Sequence, residues 1–230
     1  EVGGFYTESI TEDLATGMLI QSKGYQTYAV AKVLANGLAP ADLLSLYKQR
    51  ERWARGCIQT MRRLSLFRIK GLNIRQKADY FFSFLYWYTP VRRLIFILAP
   101  ILASIFSLQV VECTVKGILF FWLPQMIAYI LLLNEVTGKM RTARLSNVYD
   151  TILFPTLLPA VFFETLGISE ENFSVTNKNK NKKQIKENKR VIQKCQIVFG
   201  GLLFLSWIGM IGCFVRLVKG GSLGDIIILM

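Results

Sequence analysis

An α-helical membrane protein, with a polar and basic domain in front of its spans, is the fold class this sequence predicts, on three observations. More than half of the residues, 52%, are hydrophobic, and the mean hydropathy is +0.36. The net charge is nonetheless +13. That pairing is foreign to soluble domains and ordinary where basic loops face the cytoplasm. Finally, apolar residues gather into two uncharged runs, 94–111 and 117–134, each 18 residues long and able to cross about 30 Å of hydrocarbon.

Both ends of the chain read as cuts in a longer protein. It opens on Glu1-Val2-Gly3-Gly4-Phe5, without a Met and a basic leader, and closes on an apolar run at 223–230 that has only begun. The four cysteines, Cys57, Cys113, Cys195 and Cys213, form no C-x-x-C pair and read as free thiols in the core. Histidine is absent, which excludes a histidine zinc site, a Ser-His-Asp triad and a Cys-His dyad within this chain.

Taken in order, residues 1–10 form a loop leading to a helix capped by Thr11, with Glu12 and Asp13 in its first turn, where the dipole favours negative charge. Leu14, Met18 and Leu19 supply its buried stripe, and Gly24 stops it. Tyr25 to Val33, rich in Tyr, Thr and Val, predicts a short strand. Asn36-Gly37 turns the chain, and Pro40 suits the first turn of a helix over 41–66. On that helix Gln49, Arg52, Trp53 and Gly56 share one face.

Residues 76–93 predict an interfacial helix, because Tyr86, Trp87 and Tyr88 favour headgroup depth. Two transmembrane helices follow within 94–134. The apolar stretch 151–167 holds Pro155 and Pro159 and has basic clusters on both sides. A single crossing there would set one cluster outside, so an interfacial or re-entrant segment on the cytoplasmic face is expected. The Lys/Asn run 177–190 is expected to be mobile. A further transmembrane helix occupies 194–218, and 223–230 starts another. In that topology only Lys116, Arg216 and Lys219 of the 28 basic residues face outward, the bias expected of cytoplasmic loops.

Two short stretches carry chemistry. The N-terminus of a helix favours the ionised form of a carboxylate, so Asp13 is placed to accept a proton from an attacking hydroxyl. Taken alone, Thr11-Glu12-Asp13 is explained better as a good helix cap with helpful charges. In Gln49-Arg50-Glu51-Arg52-Trp53, a guanidinium fork can hold phosphate oxygens and an indole can stack on a pyranose. A basic helix lying on anionic lipid is the competing explanation.

Thr-Glu-Asp followed 36 residues later by Gln-x-x-Arg-Trp resembles the signature of processive family 2 glycosyltransferases. Gly37-Leu38-Ala39-Pro40 and the run from Gln49 to Gly56 are similar to the bacterial cellulose synthase catalytic subunits. Phe173-x-Val175-Thr176-x-Lys178 resembles their substrate-gating loop, with Asn179 where that motif usually has Gly.

The resemblance implies that residues 1–75 are the C-terminal part of a cytoplasmic, α/β, glycosyltransferase A-type domain, and that 135–193 carry a cytoplasmic interfacial segment and the gating loop. It implies Asp13 as general base, supported by Thr11 and Glu12. Gln49 and Arg52 would contact the diphosphate or donor sugar, and Trp53 the acceptor. Phe173, Val175, Thr176 and Lys178 would close over the bound nucleotide sugar.

The implied activity is elongation of a cellulose-like β-glucan from UDP-glucose, with export of the polymer. Synthesis of hyaluronan, chitin, poly-N-acetylglucosamine or a mixed-linkage glucan is the alternative, and a non-catalytic membrane anchor is a third. Partners implied are a UDP-sugar, the growing polysaccharide, membrane lipid and export subunits, with no nucleic acid. The location implied is the inner or plasma membrane, multi-pass, with the catalytic face cytoplasmic. Mg2+ or Mn2+ is expected in the full-length enzyme, on aspartates upstream of this chain. The piece in hand is expected to be inactive alone.

Overall fold

The computed structural model describes residues 3–28, 30, 32–40, 42–106, 115–138, 142–168 and 182–219. Seven α-helices make up its regular structure: α1 (Glu12–Ser22), α2 (Leu43–Arg63), α3 (Ile74–Leu85), α4 (Thr89–Phe106), α5 (Val115–Val136), α6 (Ala143–Thr165) and α7 (Lys182–Val218). A single 3-10 turn, Tyr86–Tyr88, joins α3 to α4. Two compact units emerge, one of Glu1–Pro90 with Pro155–Ile192 and one of Val91–Phe154 with Gln193–Met230.

The first unit is built around α1, α2 and α3. Met18, Cys57, Leu66, Leu72 and Phe84 form its buried centre, with Leu14, Met61, Tyr80, Phe81 and Trp87 packed around them. Leu14 and Met18 thus fill the expected stripe of α1, whereas Leu19 stays outside that cluster. Thr11 occupies the cap position, but its side chain makes no bond to the N–H groups of α1. Gly24, at φ +91°, closes the helix in the left-handed conformation expected of it.

The start of α2 corrects the sequence reading. Asp42, not Pro40, opens the helix by accepting a hydrogen bond from the Ser45 N–H at 2.8 Å. Asn73 and Gln76 form a reciprocal capping box at the start of α3.

No strand forms among the described residues, so the strand expected over 25–33 is not realised. Tyr28, Val30 and Val33 are 79%, 64% and 80% exposed. A strand needs a neighbour for its backbone groups, and none of the described segments supplies one.

Among the described residues, four helical stretches are long and apolar enough to cross a membrane: Ile74–Phe106, Leu119–Val136, Ala143–Thr165 and Lys189–Arg216. The aromatic segment 76–93 falls on α3, the 3-10 turn and the start of α4, all within the first of these stretches. Pro155 and Pro159 sit inside one unbroken 23-residue helix, α6. Intramembrane helices tolerate proline where neighbours satisfy the released carbonyls, so the prolines are no argument against a crossing.

Residues 177–181 of the Lys/Asn run lie outside the described residues, and from Lys182 onward the run is helical. Extending an existing helix costs no new nucleus, and α7 supplies one. A salt bridge of 3.0 Å from Lys48 to Glu187 adds a contact on α2.

In the second unit α4 and α7 approach closely at Gly209, which packs on the Ser104 side chain. Arg216 donates to the Ser104 carbonyl beside it. Phe154 and Phe199 meet edge to face, centroids 5.8 Å apart, and Arg93 donates to Asn147 at 2.8 Å. Apolar α5 leaves Phe120 and Phe121 about three-quarters exposed, a surface that suits hydrocarbon rather than water.

Candidate functional site

A cleft of about 830 Å³ opens in the first unit, lined by Thr7 to Leu14, by Arg52, Trp53, Cys57, Gln59 and Arg63 of α2, and by Trp87. Asp13 and Trp53, 40 positions apart in the chain, therefore face one space. What joins them is local chemistry at the crossing of the Thr11-Glu12-Asp13 turn with α2.

Gly56 is the contact point. A Cβ there would lie 2.6 Å from Thr11 Cγ2 and 2.9 Å from its backbone nitrogen, closer than real atoms approach. Any larger residue would push the turn off the helix. Around Gly56 lie three buried hydroxyls: Ser9 donates to the Gly56 carbonyl at 3.2 Å, Ser9 and Thr60 are 2.7 Å apart, and Thr11 and Thr60 are 3.2 Å apart. The loop before the turn is tied down as well, since the Tyr6 N–H donates to Thr16 Oγ1 at 3.0 Å.

Asp13 is exposed at the start of α1. Its Oδ1 accepts a hydrogen bond from the Leu14 N–H at 2.8 Å, so the helix N-terminus holds one oxygen. The other has no hydrogen bond among the described residues. Trp53 is half-buried, with the Arg50 guanidinium 5.0 Å from its ring centroid, a cation–π distance. Cys57 lies near the cleft floor with its thiol pushed up to about 11. Burial is the largest cause and the Asp13 charge adds to it, while hydrogen bonds from Trp87 and Thr11 oppose it. That thiol is neutral at physiological pH and makes a poor nucleophile.

The flank of α2 next to the cleft face is ionic. Glu164, at the end of α6, is wholly buried. Its Oε1 lies 3.2 Å from Arg62 Nη2, its Oε2 3.9 Å from Arg55 Nη1, and its carbonyl accepts from Arg62 at 2.5 Å. Arg55 also pairs with Glu51 at 3.0 Å. Two carboxylates and two guanidiniums balance there.

Of the residues singled out in the sequence, Thr11, Glu12, Asp13, Arg52 and Trp53 come together in the cleft. Gln49 is half-buried one turn earlier on α2 and does not line it. Phe173, Val175, Thr176 and Lys178 lie outside the described residues. Among the described residues no three His, Cys, Asp or Glu side chains group to hold a metal ion.

Sequence reasoning missed Trp87, Gln59, Arg63 and the Ser9–Thr60 pair. Arg52, Gly56, Gln59 and Arg63 recur at i, i+4, i+7 and i+11, so carrying the helical stripe further finds two of them. Trp87, expected at headgroup depth, lines the cleft.

A membrane-associated domain whose cleft pairs a helix-terminal carboxylate with an Arg–Trp helix defines a class, and comparison with known proteins gives its family. The chain belongs to glycosyl transferase family group 2, whose model matches residues 1–134. Among individual proteins it is similar to the cellulose synthase catalytic subunit (UDP-forming) of Pseudomonas fluorescens, 32% identical over 178 residues. It is also similar to cellulose synthase 1 catalytic subunit (UDP-forming) of Komagataeibacter xylinus, again 32% identical over 178 residues, and to cellulose synthase 2 of Novacetimonas hansenii, 30% identical over 177. Each match covers 77% of this chain but only 24%, 24% and 11% of the respective relative.

Proposed function

We propose that this chain is the acceptor half of a processive, inverting glycosyltransferase that extends a cellulose-like β-glucan from UDP-glucose and passes it through the membrane. The observation that carries the reading is the single cleft shared by Asp13, Arg52 and Trp53. The relatives' names, cellulose synthase and UDP-forming, favour this polymer and this leaving group.

In the proposed step the terminal hydroxyl oxygen of the glucan attacks the anomeric carbon of the donor sugar. A C–O bond forms as the bond to the diphosphate breaks, and UDP leaves with the electron pair. Asp13 takes the hydroxyl proton. Arg52, with Gln49 nearer the helix start, meets charge growing on the diphosphate. Trp53 stacks on the acceptor ring, and Trp87 offers a second aromatic wall. Phe173, Val175, Thr176 and Lys178 are proposed to close over the donor.

Mg2+ or Mn2+, when bound, neutralises diphosphate charge. Its ligands are proposed to lie on upstream residues, so no step here runs through it. The cleft is proposed to face the cytoplasm in the inner or plasma membrane, with export subunits receiving the polymer outside.

The test uses the full-length enzyme in membrane vesicles. Asp13→Asn is expected to remove polymer synthesis while membrane insertion persists. Trp53→Ala is expected to impair elongation more than UDP-sugar hydrolysis. Polymer formation surviving the first change refutes the base, and equal loss of both activities in the second refutes acceptor stacking.

A further inference from the structure

We propose that Thr60 is a positioning residue for the base: through Ser9 and Thr11 its hydroxyl fixes the turn that carries Asp13 onto α2. The proposal rests on the reading of Asp13 as the proton acceptor.

Thr60 has no exposed surface, although it sits in a helix that is otherwise basic on its open faces. A helical threonine usually turns its hydroxyl onto the carbonyl four residues back, which here is that of Gly56. Ser9 takes that carbonyl instead, and Thr60 meets Ser9 and Thr11.

Each hydroxyl has one proton to give. With the proton of Ser9 committed to Gly56, Thr60 is the donor to Ser9, and the Thr11 hydroxyl lies 3.2 Å from Thr60 and 3.5 Å from Ser9. The result is a chain of hydroxyls that joins Thr11 through Thr60 and Ser9 to the α2 backbone. The Thr11 N–H also donates to Ser9 Oγ at 3.4 Å.

This chain explains why Thr11 occupies the cap position of α1 without bonding its N–H groups. The turn is oriented from outside, by α2, rather than by its own cap. Asp13 follows Thr11 by two residues and stands in the first turn of α1, so its place in the cleft is inherited from that bond. Gly56 allows the approach, because a Cβ there would collide with Thr11.

The test again uses the full-length enzyme in membrane vesicles. Thr60→Val keeps the shape and deletes the hydroxyl. It is expected to lower kcat for polymer synthesis about ten- to a hundredfold, the range for a reacting group displaced by about an ångström, with KM for the UDP-sugar within about twofold. Thr60→Ser, which keeps the hydroxyl, is expected to restore most of the rate. Ser9→Ala, a smaller change at the other end of the chain, should reproduce the kcat loss even if Thr60→Val inserts poorly.

Asp13→Asn serves as the benchmark. If Asp13→Asn still makes polymer, the base reading fails. If Asp13→Asn is inactive while Thr60→Val and Ser9→Ala turn over like the unaltered enzyme, the positioning role alone is overturned. That role is equally overturned if Thr60→Ser is as slow as Thr60→Val, or if the loss appears in KM instead of kcat.

Discussion

Helix α2 is fastened along two neighbouring stripes by opposite chemistries. On one, Gly56 and Thr60 meet Ser9 and Thr11 through neutral hydroxyls and a close backbone approach. On the other, Arg55 and Arg62 close on the buried Glu164. The neutral joint is the one beside Asp13. Hydroxyls orient a neighbour without adding net charge beside the Asp13 carboxylate. The ionic joint lies a stripe away, where its charges balance one another and leave the cleft to Arg52 and Arg63.

The comparison can be broken most sharply on the ionic side. Glu164→Ala leaves Arg55 and Arg62 without their shared buried partner, and loss of one side of a buried ion pair costs about 3–5 kcal/mol. Thermal unfolding of the detergent-solubilised protein should show that loss. Replacing the pair together, as Arg62→Met with Glu164→Leu, should be clearly milder, since an apolar substitute avoids the desolvation cost. A loss below about 1 kcal/mol for Glu164→Ala would mean that the cluster behaves as a surface pair, not a joint.

The neutral side carries a pH signature through Cys57. The Cys57 thiol is raised from 9.0 to about 11 in the folded protein. Between those values the unfolded chain has lost the proton and the folded chain keeps it, so stability falls as pH rises. Two units correspond to about 3 kcal/mol at most, full below pH 9 and gone above 11. A pH series of unfolding midpoints should show this decline, and Cys57→Ala should flatten it. An unchanged slope in that variant would place the decline elsewhere.

Much of the first unit is legible in the sequence because its signals are local. Thr11 at the cap position, acidic residues in the first turn and Gly24 at its end set α1 within a residue. The helical stripe through Arg52, Trp53 and Gly56 gives the cleft face of α2. Contacts distant in sequence are not legible. Thr60 reads as one polar residue in a helix until Ser9, 51 positions earlier, is set against it. The strand at 25–33 fails for a related reason, since β pattern without a partner segment gives an exposed, unpaired chain. The place of Trp87 in the cleft is not legible because aromatics at headgroup depth and aromatics lining a cleft have the same composition. The Lys/Asn run has a disordered composition, yet from Lys182 it belongs to a helix nucleated further along.

The docking of the Thr11-Glu12-Asp13 turn onto α2 is tested most directly by a cross-link between the two hydroxyl positions. In full-length protein with every native cysteine, Cys57, Cys113, Cys195 and Cys213 included, replaced by Ala or Ser, Ser9→Cys together with Thr60→Cys should form a disulfide under mild oxidation, because the two side chains already touch at 2.7 Å. Near-complete loss of free thiols in the pair, with the one introduced thiol intact in each single variant, is the predicted result. Two thiols that stay free in the double variant would contradict it, and with it the shared cleft of Asp13 and Trp53.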